Sequence, residues 1–352
     1  MKERFYKNSY FKEKEKKDFT LTFKTSTATV PKNALVELTN GCNHACVFCF
    51  NPEMKRKISS VDMNEYQDFI EAASKEGLEE VGLYSTGEPF MTKNLEEFIS
   101  IAKKAGIKRV YITSNGALAD LNKMIKCIDS GLDSIKFSIN AGSRETYKII
   151  HGHDDFNKVI KNIKELYEYK NSKNLNFQIM SSFIYTDLTH SEIEPFKEKY
   201  GKYFEDMFFQ KAINQGGRKI DEAKKLTGNL EKLNIPKKKN YKPCSMIWNR
   251  LHFTAEGYLT ACCVDYEGDL LFKKFDKKEK IVDQFNNKKI KELRNKHLNN
   301  DLDGTICKNC IYNSNDSYDS IGDFDVNKMK QNEKKMTSLK KRIDQATNTN
   351  KI

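Results

Sequence analysis

Ala34-Leu35-Val36-Glu37-Leu38 runs almost directly into Asn40-Gly41-Cys42-Asn43-His44-Ala45-Cys46-Val47-Phe48-Cys49. A short apolar run of strand length is thus followed by a loop bearing Cys-x3-Cys-x2-Cys. Bounded by a glycine, the apolar run reads as a buried strand. Outward from it, a strand pattern and then a helix pattern recur. Asp62 is placed as an N-cap with Glu65 three residues on. Met63, Tyr66, Phe69, Ile70 and Ala73 then share one helical face, and Gly77 closes the helix. Strands follow near Glu80–Tyr84, Arg109–Thr113, Ser134–Ile139, Asn176–Ile184 and Met207–Ile213. Helices are expected around Leu95–Ala102, Met124–Ile128, Phe156–Leu166 and Ser191–Lys199, with a basic helical segment after the last strand.

Six βα units in order imply a parallel sheet with its helices outside. Six fall short of the eight that close a full barrel. The expected fold is therefore α/β, an open, partial (β/α)6 TIM-like barrel with functional loops at the C-terminal ends of its strands. Residues 1–30 form an N-terminal extension and 31–225 the core domain. A small Cys-rich domain follows at 240–315, after a Lys237-Lys238-Lys239 linker, and 316–352 is a charged tail. The small domain offers strand-like Leu251–Thr254, a turn at Glu256-Gly257 and strand-like Tyr258–Thr260. At that size a metal staple supplies what its core lacks.

The 352 residues are 38% hydrophobic and 31% charged, which supports a sizeable core. No apolar run approaches membrane-spanning length, and Met1–Phe19 holds no signal-peptide core. A cytoplasmic protein without membrane contact is expected. The net charge of +12 invites a nucleic-acid reading, but only eight of the 61 basic residues are Arg. Phosphate and base readers favour the planar Arg fork. Much of the excess lies in Lys12–Lys17 and Lys328–Lys351, so we read a solvated Lys-rich surface.

Nine cysteines in a reducing compartment point to metal or catalysis rather than to disulfides. Cys42, Cys46 and Cys49 have no fourth ligand nearby. Structural zinc normally takes four, whereas three cysteines on a [4Fe–4S] cluster leave one iron open. Cys127 falls on an apolar helix face and reads as an inert core residue.

The first loop resembles the signature of the radical S-adenosylmethionine (radical SAM) enzymes. That resemblance implies that Cys42, Cys46 and Cys49 bind a [4Fe–4S] cluster whose open iron chelates S-adenosylmethionine, with Phe48 near the adenine. Thr86-Gly87-Glu88-Pro89 is similar to the family's Gly-Gly-Glu-Pro turn, departing at Thr86. It implies that Gly87, Glu88 and Pro89 hold the methionyl amine. Thr113-Ser114-Asn115-Gly116 looks like the family's T-N-G turn. Ser138, in Ser138-Ile139-Asn140, matches a polar position that faces the cofactor's ribose or carboxylate. Gln178, Ser181 and Gln210 are further candidates from position alone.

Cys244, then Gly257-x4-Cys262, then Cys307-Lys308-Asn309-Cys310 resembles a shortened SPASM domain, the "twitch" form. The resemblance implies an auxiliary [4Fe–4S] cluster on Cys244, Cys262, Cys307 and Cys310. A zinc site on the same four residues has the same stoichiometry, and Cys263 could replace Cys262. Such enzymes use S-adenosylmethionine to make a 5′-deoxyadenosyl radical that takes a hydrogen atom from substrate. An auxiliary cluster would accept the remaining electron, with Asp265 as a base. The implied substrate is a small sugar-like or amino-sugar molecule undergoing oxidation or epimerisation. A peptide modified on its side chains is the alternative, and a flavodoxin or ferredoxin is the implied electron donor. The reading from another class is a zinc-stabilised RNA-binding protein without catalytic activity.

Overall fold

The computed structural model describes residues 3–6, 23–228, 242–322 and 324. The Lys12–Lys17, Lys237–Lys239 and Lys328–Lys351 segments lie outside them.

Among the described residues ten strands form one sheet. They are β1 (Glu3–Tyr6), β2 (Asn33–Val36), β3 (Glu80–Gly82), β4 (Arg109–Ser114), β5 (Ser134–Ser138), β6 (Gln178–Tyr185) and β7 (Asp206–Lys211), followed by β8 (Arg250–Phe253), β9 (Tyr258–Thr260) and β10 (Leu271–Lys274). Their spatial order is β1-β7-β6-β5-β4-β3-β2-β8-β9-β10. Strands β2 to β7 are parallel neighbours in chain order. This is the expected open (β/α)6 sheet.

Helices α1 (Met63–Lys75), α2 (Leu95–Lys104), α3 (Leu121–Asp129), α4 (Arg144–His151), α5 (Phe156–Ser172), α6 (Ile193–Tyr200) and α7 (Ile220–Thr227) supply the connections. The Asp62 side chain accepts from the N–H groups of Asn64 and Glu65, so α1 starts where its cap predicts. Tyr66, Phe69, Ile70 and Ala73 are buried beneath it. Strand alternation does the same work from the sheet: Val110, Ile112, Ile135 and Phe137 are fully buried against the helices. Each such side chain contributes roughly 1.5–3 kcal/mol by leaving water. The positions between them face the other side of the sheet. Cys127 is buried on α3 in the core, as expected.

Two features were not legible beforehand. In the N-terminal extension, β1 pairs antiparallel with β7. The region expected as a small domain starts by extending the main sheet, because β8 pairs in parallel with β2, from Asn33↔Arg250 to Val36↔Phe253. Phe253 stacks on Phe69 of α1 with centroids 4.3 Å apart. Leu251 and Phe253 thereby enter the main core. Four residues of strand pattern carry no information about which edge they will join. Helices α8 (Met246–Asn249), α9 (Ile281–Gln284), α10 (Lys288–Leu298) and α11 (Ile306–Tyr312) complete this part. Among the described residues no helix is long and apolar enough to cross a membrane.

Candidate functional site

The three-cysteine loop leaves the C-terminal end of β2 and is pinned by Asn40. Its Oδ1 accepts from the Ser59 N–H at 2.6 Å, and its Nδ2 donates to the Lys57 carbonyl at 2.8 Å. Burial pushes the Cys42 thiol up to about 12, aided by the charge of Glu88. Cys46 and Cys49 are raised by burial as well. Thiols so placed ionise only when a cation joins them. The donors that thiolates need are already present. The His44 N–H reaches Cys42 Sγ at 3.5 Å, and the Asn51 N–H reaches Cys49 Sγ at 3.5 Å. The Asn115 amide stands 4.0 Å from Cys42 Sγ. The Tyr266 hydroxyl lies 3.5 Å from Cys49 Sγ but gives its proton to Gln215, so it is a neighbour of that thiol and not one of its donors. This donor set fits an iron–sulfur cluster on Cys42, Cys46 and Cys49.

The Thr86–Pro89 turn follows β3 and lies against this loop. A Cβ on Gly87 would meet the Thr39 carbonyl oxygen at 2.3 Å and the Gly41 carbonyl oxygen at 2.6 Å, so only glycine fits there. The Glu88 N–H donates to the Gly41 carbonyl at 2.9 Å. The Glu88 carboxylate accepts three bonds: from the Phe90 N–H (3.1 Å), the Ser114 hydroxyl (2.7 Å) and the Asn115 N–H (2.8 Å). Burial outweighs these donors and lifts its pKa to about 7. Pro89 opens a short 3-10 turn over Pro89–Met91 that Glu88 caps.

Thr86, the departure from the family's glycine, donates its hydroxyl to the Glu37 carboxylate. Glu37 also binds Arg56 Nη2 through both oxygens, at 2.7 and 2.6 Å, and takes the Ala255 N–H at 3.0 Å. Ser114 and Asn115 thus meet Glu88 as a unit, and the Asn115 amide also donates to Asn43 Oδ1 at 2.8 Å. Ser138 lies 3.4 Å from Ser182. Ser182, not Ser181, shares its face of the sheet, because Ser181 is buried in register with the core residue Phe137. Gln178 begins β6, at the end of the sheet away from the mouth, whereas Gln210 lies near the C-terminal end of β7. Phe48 is buried in a small apolar cluster with Ile150 and Ala212.

Three histidines around the loop went unnoticed in the sequence. His44 Nε2 lies 3.0 Å from Asp155, and His44 Nδ1 lies 3.2 Å from His151 Nδ1. His153 stacks on the His44 ring with centroids 5.5 Å apart. Burial opposes ionisation of Asp155, but the His44 bond outweighs it and holds the carboxyl below its usual range. Burial, with His44 nearby, keeps His151 well below the ordinary histidine value. The pattern Cys-Asn-His-Ala-Cys was the one available signal for this group.

The second cysteine group comes from three segments of the chain. Cys244, Cys307 and Cys310 lie within electrostatic reach of one another, and burial raises all three thiols. Both Cys262 and Cys263 sit beside Cys244. Cys263 also lies beside Cys310 and His252, so the Gly-x4-Cys count does not single out one thiol. Asp265 is buried. Its Oδ2 accepts from the Thr260 hydroxyl (2.7 Å) and the Leu270 N–H (2.9 Å), while Oδ1 has no partner. Burial raises its pKa. Tyr266, next in the chain, donates to Gln215 Oε1 at 2.7 Å; it lies beside Cys49 of the first group and within electrostatic reach of Cys263 of the second.

The first loop of an open parallel sheet thus presents three buried thiols, two of them facing backbone N–H donors. Residues 36–194 match the model of the Radical SAM superfamily. The family brings a [4Fe–4S] cluster and S-adenosylmethionine as its cofactors. A probable GTP 3′,8-cyclase of Saccharolobus solfataricus is 35% identical over 130 residues, 37% of this chain and 41% of that protein. The chain spans about two fifths of the length of such curated relatives. Among solved structures, BtrN in complex with AdoMet and 2-DOIA aligns with a TM-score of 0.52 at 18% identity, over 86% of this chain and 98% of that one. Streptococcus suis SuiB bound to S-adenosylmethionine aligns at 0.59 and 14% identity, over 91% and 84%. At these identities the likeness is one of fold.

Proposed function

We propose that this chain uses S-adenosylmethionine to oxidise a hydroxyl-bearing, sugar-like small molecule, with an auxiliary [4Fe–4S] cluster as internal electron acceptor. The observation that carries it is the second cysteine group, whose Cys263 lies within electrostatic reach of Tyr266, itself 3.5 Å from Cys49 of the first group. Cys244, Cys307, Cys310 and one of the Cys262–Cys263 pair would fill every protein position on that cluster. It then has no site for substrate and is left with electron transfer. When bound, the first cluster with S-adenosylmethionine supplies a carbon radical that removes one hydrogen atom from substrate. The alcohol then loses a proton to a base and an electron to the auxiliary cluster, a net two-electron oxidation to a carbonyl.

Asp265 suits the base, since one oxygen is fixed by two donors and the other is free. Asp265→Asn should lower product formation by about 10²–10⁴-fold, with 5′-deoxyadenosine still formed and iron content unchanged. Equal product from this variant, measured by mass spectrometry, removes Asp265 from the reaction.

Glu88 would take the methionyl ammonium. A carboxylate offers about four acceptor sites, and three are used within the protein. Glu88→Gln turns an N–H toward the Asn115 N–H and weakens the remaining site. S-adenosylmethionine affinity should fall about ten- to hundredfold, the worth of a charge-assisted bond. A spectroscopic titration showing wild-type affinity with an intact cluster would leave Glu88 as a turn cap alone.

The deciding experiment is anaerobic turnover with dithionite and S-adenosylmethionine across amino sugars, GTP and short peptides. Expected are about eight iron per chain and 5′-deoxyadenosine matched by a carbonyl product from a sugar. Product from peptide alone transfers the reading to peptide modification. Two zinc and no iron would favour the RNA-binding reading.

A further inference from the structure

We infer that His151 is a positioning residue for the first cluster: its Nδ1–H donates a hydrogen bond to the Cys46 thiolate and thereby raises the cluster's reduction potential. The inference rests on the reading that Cys42, Cys46 and Cys49 hold that cluster.

The hydrogen bonds fix the tautomers. Asn140 Oδ1 accepts from the Ile184 N–H at 2.8 Å, which orients the amide. Its Nδ2 then faces His151 Nε2 at 3.2 Å, and the Asn140 backbone N–H faces the same nitrogen at 3.3 Å. Two donors leave that nitrogen as an acceptor, so a neutral His151 carries its proton on Nδ1. On the other side, His44 Nε2 faces the Asp155 carboxylate at 3.0 Å. A carboxylate only accepts, so His44 is protonated at Nε2 and presents a lone pair at Nδ1. The His151 Nδ1–H therefore has two acceptors before it, His44 Nδ1 at 3.2 Å and Cys46 Sγ at 3.6 Å.

The ring cannot swing away. Tyr147 stacks on it at 3.9 Å. The end of α4 is fastened to the cysteine loop by Ala45 N–H to the His151 carbonyl (3.1 Å) and Val47 N–H to the Ile150 carbonyl (3.0 Å). Gly152, at φ +69°, lets the backbones approach, since a Cβ there would meet the Ala45 carbonyl oxygen at 2.8 Å.

His44, Cys46 and His151 also lie close enough to suggest a separate metal site. The same accounting argues against it, because His151 has no lone pair free on either nitrogen. Once the sulfur carries cluster charge it is the stronger acceptor, and the bond to it becomes charge-assisted. Hydrogen bonds to cluster sulfurs favour the more negative, reduced state.

The test is an EPR-monitored redox titration of the reconstituted holoenzyme. The signal to follow is the one that changes when S-adenosylmethionine is added, which separates this cluster from the auxiliary one. His151→Phe keeps the stack on Tyr147 and removes the donor. Its midpoint should move about 30–60 mV negative, a three- to tenfold change in the reduction equilibrium at 59 mV per tenfold, with iron per chain unchanged. His151→Asn, whose amide nitrogen lies near the place of Nδ1, should restore most of the shift. In wild-type protein labelled with 15N-histidine, pulsed EPR of the reduced cluster should show a nitrogen coupling that His151→Phe loses. An unshifted potential in fully loaded His151→Phe overturns the inference. So does the lack of any histidine coupling in the wild type, however the variants fold. A wild-type cluster that ignores S-adenosylmethionine would instead overturn the underlying cluster reading.

Discussion

Cys46→Ala is expected to abolish 5′-deoxyadenosine formation while leaving a folded protein. The loop backbone is held by bonds that do not involve the sulfur, chiefly those of Asn40, Ala45 and Val47. The side chain sits at the edge of the Phe48–Ile150–Ala212 cluster, where an alanine leaves little void. What the substitution removes is one of three thiolates, and two cannot hold a cluster with a single open iron. The auxiliary cysteines come from other segments, so about four of about eight iron should remain. Chromatography of the dithionite-reduced reaction checks the first point and iron analysis the second. Cleavage at the wild-type rate would remove these cysteines from the site, and loss of all iron would deny the second group its independence.

Arg56→Met should be the most damaging change outside the cysteines. Arg56 is 3% exposed and grips both oxygens of the equally buried Glu37, with the Glu256 carboxylate 3.6 Å from its Nε. Burial works against the guanidinium charge, but Glu37 and Glu256 reverse that and raise its pKa. Removing the cation leaves two carboxylates buried without compensation, which costs about 3–5 kcal/mol. A fall in Tm of roughly 4–7 °C follows for a chain of this size. Because Glu37 also holds Thr86, S-adenosylmethionine affinity should weaken in the same variant. Adding Glu37→Gln should recover part of the Tm, since replacing both partners relieves the stranded charge. A Tm within about 1 °C of wild type would show that the network carries no net stability.

Much of this arrangement was open to reading in the sequence. The six βα units, the Asp62 cap and the cysteine spacings depend on local pattern, and local pattern is what sequence displays. Thr86 shows where that stops. It stood out as a departure from the family's turn, but its compensation by Glu37, 49 positions away, needed the fold. His44 lay in plain view inside the cysteine loop, while its partners His151 and Asp155 arrive from a helix end more than a hundred residues on. Cys262 and Cys263 show a different limit. A count of residues gives one answer, whereas two adjacent thiols in a tight turn can both reach the same neighbours.

The parallel pairing of β8 with β2 makes the chain indivisible as an engineering object. A fragment ending near residue 228 would keep Cys42, Cys46, Cys49 and the six parallel strands around them, yet it would strip the neighbour β8 from the strand that carries the cysteine loop. The bared edge of β2 would offer its unpaired N–H and C=O groups to other copies, and the Ala255 bond to Glu37 would go with it. The C-terminal, Cys-rich part therefore shields the strand on which the rest of the sheet is built.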